Sequence, residues 1–78
     1  MAREAERPLN LTRARYNQPY EIQSIETLDS AMTDFLFTLG CYEGQEVTVL
    51  SSLGENYVIH VKDARYSIDR ALAQAIRI

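Results

Sequence analysis

The sequence of 78 residues contains one cysteine, no tryptophan, three glycines and two prolines. A single cysteine cannot form an internal disulfide, and a chain of this length is expected to fold as one domain that buries only about 60% of its unfolded surface. No apolar run approaches the roughly 20 residues that a membrane-spanning helix needs. The N-terminal stretch MAREAERPLN also lacks the apolar core of a signal sequence. We therefore expect a cytoplasmic domain without direct membrane insertion.

Basic residues are scarce in most of the chain. Residues 1–15 contain four arginines and two glutamates, a net charge of 4 − 2 = +2, whereas residues 16–78 contain four basic and nine acidic residues, a net charge of 4 − 9 = −5. Because nucleic-acid-binding proteins usually have a concentrated basic face, this acidic body argues against nucleic acid as a partner. Residues 1–8 are predicted to be a flexible leader and residues 9–78 the folded domain.

The sequence has no motif typical of catalysis or phosphate binding. It lacks Gly-x-Gly-x-x-Gly, Gly-x-x-x-x-Gly-Lys and Gly-x-Ser-x-Gly, and its five serines share one histidine, His60, as their only imidazole base. We predict that the protein is not an enzyme.

Metal ligands are equally few. A zinc or iron site needs about three or four convergent ligands, and this chain offers only Cys41 and His60 beside scattered carboxylates. A free cysteine usually packs as a small hydrophobic residue, and His60 alternates onto the strand face opposite Ile59. The expectation is no dedicated metal site and no cofactor, with Cys41 and His60 as weak candidate ligands that leave weak transition-metal binding open.

The hydrophobic pattern predicts a mainly β fold with one helix. A helix capped by Asp29 or Ser30 should place Met32, Phe35, Leu36 and Leu39 on one face and end at Gly40, with Gly44 and Gly54 in later turns. Asp69 should cap a last helical turn, RALAQA, before Ile76 and Ile78 form a closing strand. Short antiparallel strands at this spacing indicate a small SH3-like or OB-like barrel. The other predicted strands are Tyr20–Ile25, Glu46–Leu50, Tyr57–Lys62 and Arg65–Ile68.

Three stretches, taken in order, resemble the FeoA family, the small SH3-like partners of the bacterial ferrous iron transporter FeoB. The first is the leucine-glycine corner of residues 36–44, LFTLGCYEG, and the second is the hairpin stretch of residues 52–56, SLGEN. The third is the C-terminal pattern of residues 68–78, which ends in AQAIRI. With Leu11, Asn17, Tyr20 and Ile22 at the family's opening positions, the resemblance covers residues 9–78.

The resemblance implies an SH3-like barrel of about five antiparallel strands, with one α-helix between strands 1 and 2 and a short C-terminal helical turn. It also implies an accessory or regulatory protein of bacterial ferrous iron transport that contacts the cytosolic, GTP-binding domain of a FeoB-type transporter. Two alternatives stay open: a regulatory module like the SH3-like domain of iron-dependent repressors, and a small metal-binding protein that uses Cys41 and His60. Homo-oligomer formation also stays open.

The aromatic residues suggest where a partner would bind. Phe37 projects away from the buried stripe of the predicted helix, and one small barrel cannot enclose every aromatic side chain of the chain. We predict that Phe37, Tyr42 and Leu53 form an apolar contact patch for a partner domain or a second copy.

Overall fold

The computed structural model of the protein describes residues 8–78. The predicted leader, residues 1–8, lies outside the described residues except for Pro8, so its flexibility stays a prediction. The described chain forms one 3₁₀ turn, six strands and two helices. In chain order they are the 3₁₀ turn Leu11–Arg13, β1 Pro19–Glu21, β2 Ser24–Ile25, α1 Ser30–Leu39, β3 Glu46–Leu53, β4 Asn56–Val61, β5 Ala64–Asp69, α2 Arg70–Ala75 and β6 Ile76–Arg77.

All strand pairs are antiparallel, and the architecture is mainly β as predicted. Four strands form the main sheet in the order β1-β3-β4-β5, while β2 pairs with β6 in a second, two-stranded sheet. The longest helix, α1, connects the strands of the N-terminal segment to β3, and the short α2 leads into β6. Within residues 8–78, no helix has the length and apolar character needed to cross a bilayer.

The predicted first strand, Tyr20–Ile25, is divided into β1 and β2. Ile22 lies between them with a fully buried side chain. Its N–H donates to the carbonyl of Gln45 at 2.8 Å, and its own carbonyl accepts the N–H of Gly44 at 2.8 Å. The segment thus passes from one sheet to the other at Ile22. Alternation of apolar residues along the sequence could not reveal this division, because it says nothing about which backbone each half pairs with.

The second predicted strand is longer than expected. The apolar alternation predicts its end at Leu50, but β3 continues to Leu53 with an irregularity in its pairing between Val49 and Ser51. The polar composition of the stretch that follows Leu50 is typical of a loop, and pairing with β4 extends it as a strand instead. The turn into β4 consists of Gly54 and Glu55, with Gly54 at φ +61°.

Helix α1 begins and ends at the predicted residues. The Asp29 side chain caps it by accepting the N–H of Ala31 at 2.9 Å, and Gly40 ends it at φ +98°. The N–H of Gly40 donates to the carbonyl of Phe37 at 3.0 Å, and the N–H of Cys41 donates to the carbonyl of Leu36 at 2.9 Å. These two bonds form a Schellman motif, in which a left-handed residue reverses the chain at the helix end.

Only part of the predicted apolar stripe of α1 is buried. Leu36 is fully buried and Met32 and Leu39 pack partly against the core, but Phe35 is 48% exposed. Leu36 is the only residue of α1 that is fully buried. Phe35, at the flank of the stripe, stays partly in solvent and lines a groove together with Leu72 of α2.

The core consists entirely of hydrophobic side chains, since no polar or charged residue of the described range is buried. Tyr57 reaches the core's edge, where its hydroxyl accepts a hydrogen bond from Arg70 at 3.1 Å. The buried residues come from the 3₁₀ turn, both sheets and both helices, which is why all of these elements are held as one unit. They are Leu11, Ile22, Leu36, Cys41, Val47, Val49, Tyr57, Ile59, Val61, Ile68, Ala73, Ala75, Ile76 and Ile78.

The Gly40 position generates a testable prediction. A Cβ there would lie 2.7 Å from Cδ of Lys62, whereas a Cβ at Gly44, with a similar φ of +90°, would meet nothing within 4 Å. Both Gly40→Ala and Gly44→Ala should lose about 1–2 kcal/mol to backbone strain. Gly40→Ala should lose about 0.5–1 kcal/mol more, because Lys62 must move off its contacts. Urea unfolding of the two variants measures the difference, and equal losses would contradict the role of Lys62 packing.

Candidate contact surface at the helix end

Two predicted aromatic residues meet where α1 ends. The Phe37 and Tyr42 rings lie with their centroids 5.0 Å apart and their planes at 40°. The Schellman turn at Gly40 reverses the chain, and this reversal brings Tyr42 back beside the last turn of the helix. Phe37 is 61% exposed despite this contact, and Tyr42 is half-buried. The pair therefore presents an apolar surface to solvent, and its role as a partner contact stays a prediction.

Lys62, which no sequence pattern indicated as a site residue, completes the surface. Its side chain crosses Gly40. The ammonium donates a hydrogen bond to the Tyr42 hydroxyl at 2.9 Å, and its nitrogen lies 5.5 Å from the centroid of the Tyr42 ring. Lys62 is the only lysine of the chain and lies in the two-residue turn between β4 and β5, with φ +49°. Its position next to a predicted turn was visible in the sequence, but its contact with Tyr42 was not. We call Phe37, Tyr42 and Lys62 the corner cluster.

Leu53 lies apart from the corner cluster. Within residues 8–78, no ring contact or hydrogen bond joins it to Phe37, Tyr42 or Lys62. It lies beside the β3–β4 turn and is 84% exposed. Tyr42 instead precedes the opposite end of β3, which begins at Glu46. A strand of this length spans roughly 23 Å at 3.3 Å per residue. The structure thus joins two of the three patch residues and leaves Leu53 at a separate position.

Cys41 lies inside the protein, 1% exposed. Burial raises the pKa of its thiol to about 11, so that the thiol stays protonated at neutral pH. The backbone bond between Cys41 and Leu36 brings two buried side chains together, which is the apolar contact that usually accompanies a Schellman motif. The residue serves as part of the core.

His60 is a half-buried residue of β4, opposite Thr48 and Arg65 on the neighbouring strands, and so faces away from Ile59 as predicted. In the part of the chain that the structure describes, no three His, Cys, Asp or Glu side chains converge as a metal-binding group. The expectation that Cys41 and His60 are at most weak ligands stays a prediction.

The buried thiol generates a second prediction. At pH 8 a disulfide reagent such as DTNB should react with native Cys41 at least about 100-fold more slowly than with the urea-unfolded chain. The reason is that a thiol pKa of about 11 in place of 9.0 lowers the fraction of reactive thiolate at pH 8 by about that factor. Since the folded pKa is raised, stability should be unaffected below pH 9 and fall as pH rises from 9 towards 11. Cys41→Ala is the control for the pH dependence. Equal reaction rates in both states would contradict the burial of the thiol.

Solved structures with a similar fold include two FeoA proteins. The crystal structure of an iron uptake regulatory protein (FeoA) is 22% identical, with a TM-score of 0.78 over 88% of this chain and 90% of that chain. The zinc complex of Stenotrophomonas maltophilia FeoA, described as a prokaryotic SH3 domain protein, is 20% identical, with a TM-score of 0.78 over 88% and 87%. At these identities the likeness concerns the fold, and it confirms the predicted SH3-like class.

A manganese-dependent transcriptional repressor is similar as well. It is 17% identical, with a TM-score of 0.81, and the similarity covers 97% of this chain but only 45% of the repressor. No curated protein matches the sequence. The family model of the FeoA domain, by contrast, matches residues 9–78, nearly the whole chain. This protein therefore belongs to the FeoA domain family.

Proposed function

We propose that this protein is an accessory protein of bacterial ferrous iron transport and acts by binding the cytosolic, GTP-binding domain of a FeoB-type transporter. The match of the FeoA domain model to residues 9–78 is the observation that carries the proposal. One similar structure, the Stenotrophomonas maltophilia protein, is described as a candidate activating factor of ferrous iron transport. The nucleotide and transport chemistry resides in the partner, and this chain is a non-enzymatic cytoplasmic binding protein.

The corner cluster supports this proposal as the contact surface. Phe37 offers a large apolar side chain that is 61% exposed, and exposed aromatic residues frequently become the buried anchors of protein interfaces. Lys62 places a positive charge beside it on a protein whose net charge is −3. Its hydrogen bond to Tyr42 holds both side chains in one arrangement, which lowers the entropic cost of binding. Leu53 remains a separate candidate contact at the β3–β4 turn.

The contact surface generates a third prediction. Phe37→Ala should weaken binding to the isolated cytosolic domain of the cognate FeoB-type transporter by about tenfold or more, because truncating an aromatic anchor costs about 1–2 kcal/mol or more. Phe35→Ala is a matched control, since it makes the same substitution on the same helix at a residue that is 48% exposed. Leu53→Ala tests the third residue of the predicted patch. Calorimetry or biolayer interferometry measures all three affinities.

Two results would count against the proposal in different ways. Absence of binding by the unmodified chain would remove the transporter as its partner. Equal loss for Phe37→Ala and Phe35→Ala would keep the partner but move the contact away from the corner cluster. Far-UV circular dichroism establishes that each variant is folded before its affinity is compared.

A second candidate function is a metal-responsive module like the corresponding part of a transcriptional repressor. The observation that favours it is the TM-score of 0.81 to a manganese-dependent repressor. This chain spans less than half of that protein, and its acidic body does not favour contact with DNA.

Metal titration separates the two candidates and is a fourth prediction. Calorimetric titration with Fe²⁺ under anaerobic conditions, and with Mn²⁺ and Zn²⁺, should give no saturable heat at micromolar concentration, because a transition-metal site needs several convergent ligands. Stoichiometric binding that is lost in Cys41→Ala or His60→Ala would instead favour a metal-binding function through those residues.

A further inference from the structure

The main sheet has two edges of very different kinds. β1 is three residues long and begins with Pro19, which has no N–H to donate to another strand. β5 is six residues long, contains no proline, and pairs with β4 at every position from Ala64 to Asp69 without a bulge. Short strands and prolines protect sheet edges from further pairing, and β5 has neither feature. Among residues 8–78 no other strand pairs with the outer edge of β5, so this edge can accept a further strand.

The turns on either side of β4 determine which backbone groups of β5 point outward. Val61 and Ala64 close the two-residue turn of Lys62 and Asp63, whose φ values of +49° and +64° are those of a type I′ hairpin. The two residues that close such a turn form two backbone hydrogen bonds with each other. Farther along β4 and β5, pairs of opposite residues that are joined by hydrogen bonds alternate with pairs that are not. The backbone N–H groups that face away from β4 accordingly belong to Arg65, Ser67 and Asp69, and the outward carbonyls to Arg65 and Ser67. The Asp69 carbonyl, at the N-cap of α2, accepts the first hydrogen bond of that helix instead.

The same three residues form the exposed face of β5. Arg65, Ser67 and Asp69 are exposed, while Ile68 is buried and Tyr66 is half-buried. The sign of charge is opposite at the two ends of this face, with a neutral serine midway between them. One oxygen of the Asp69 carboxylate accepts the N–H of Leu72 at 2.9 Å, and its second oxygen can accept a bond from another group.

We propose that β5 pairs antiparallel with β5 of a second copy of this chain, centred on Ser67. In this register Ser67 lies opposite Ser67 of the second copy, and Arg65 of each copy lies opposite Asp69 of the other. The two Ser67 residues exchange backbone hydrogen bonds with each other, and the Asp69 N–H of each copy donates to the Arg65 carbonyl of the other, so these bonds join the two strands. Shifting the register by two residues still opposes outward-pointing positions, but at two pairs instead of three, and it loses both Arg–Asp pairs. A shift by one residue loses the hydrogen bonds.

The charge pattern selects a second copy as the occupant of this edge. A strand that carries Arg and Asp symmetrically about its centre is complementary to itself in the antiparallel orientation. Main-chain hydrogen bonds supply the attraction and the two charged pairs fix the register. A pair of short strands buries less surface than a standard protein interface, so the dimer is weak and forms at high protein concentration. It leaves the β-sheet core unchanged and does not depend on the proposed function.

Sedimentation velocity of the full chain from micromolar to millimolar concentration tests the proposal. The unmodified chain and Ser67→Ala should both dimerise, because alanine keeps the backbone N–H. Ser67→Pro should stay monomeric, since proline removes the central donor and adds a ring at the edge, while the ladder to β4 does not use that N–H. Circular dichroism establishes that the proline variant is folded. An unmodified chain that stays monomeric at millimolar concentration, or a dimer that persists in folded Ser67→Pro, would overturn the proposal.

A second pair of variants tests the register and avoids proline. Arg65→Glu places like charges opposite each other twice and should weaken the dimer by about tenfold or more. Asp69→Asn removes the charge but keeps a good helix cap for α2, so it should weaken the dimer by a smaller factor. Dimerisation that is unaffected by Arg65→Glu would overturn the register. Phe37→Ala, away from β5, should leave the dimer unchanged, so that failure here and failure of transporter binding are distinguishable.

Discussion

The corner between helix and barrel depends on one local constraint, the left-handed backbone of Gly40. With φ at +98°, the chain reverses so that the N–H of Cys41 reaches the carbonyl of Leu36 at 2.9 Å. That bond puts Cys41 into the core and turns Tyr42 back onto Phe37. The missing Cβ of Gly40 also leaves the space through which Lys62 reaches Tyr42. Helix end, core packing and surface cluster are thus consequences of the same turn.

The thiol beside this turn contributes packing. A reactive or metal-binding cysteine is partly exposed and has a lowered pKa, whereas burial raises that of Cys41. The side chains with unusual surroundings are instead the exposed Phe37 and the lysine held against Tyr42. These side chains are the ones on which the proposed contact surface depends.

The β4–β5 turn connects the two surfaces proposed for binding. Lys62 occupies this turn and contacts the corner cluster, and β5 begins two residues later at Ala64. Both turn residues, Lys62 and Asp63, have positive φ values that non-glycine residues rarely adopt. A partner that engages Lys62 would therefore act on the residue that directs the chain into β5.

The sequence by itself determined the features that depend on bonds between near neighbours. The Asp29 and Asp69 caps and the end of α1 at Gly40 all follow from residues within five positions of each other. The spacing of apolar residues also predicted the order of strands and helices, and three stretches taken in order, of which the glycine corner is the first, indicated the family.

Only the tertiary structure decided which distant segments meet. The division of the first strand at Ile22 depends on pairing with two different sheets. The contact of Lys62 with Tyr42 joins residues 20 positions apart, and the separation of Leu53 from the corner cluster depends on the length and pairing of β3. The physical reason is that a cap or turn is satisfied by its own neighbours, whereas a contact between strands depends on a register that many residues set together.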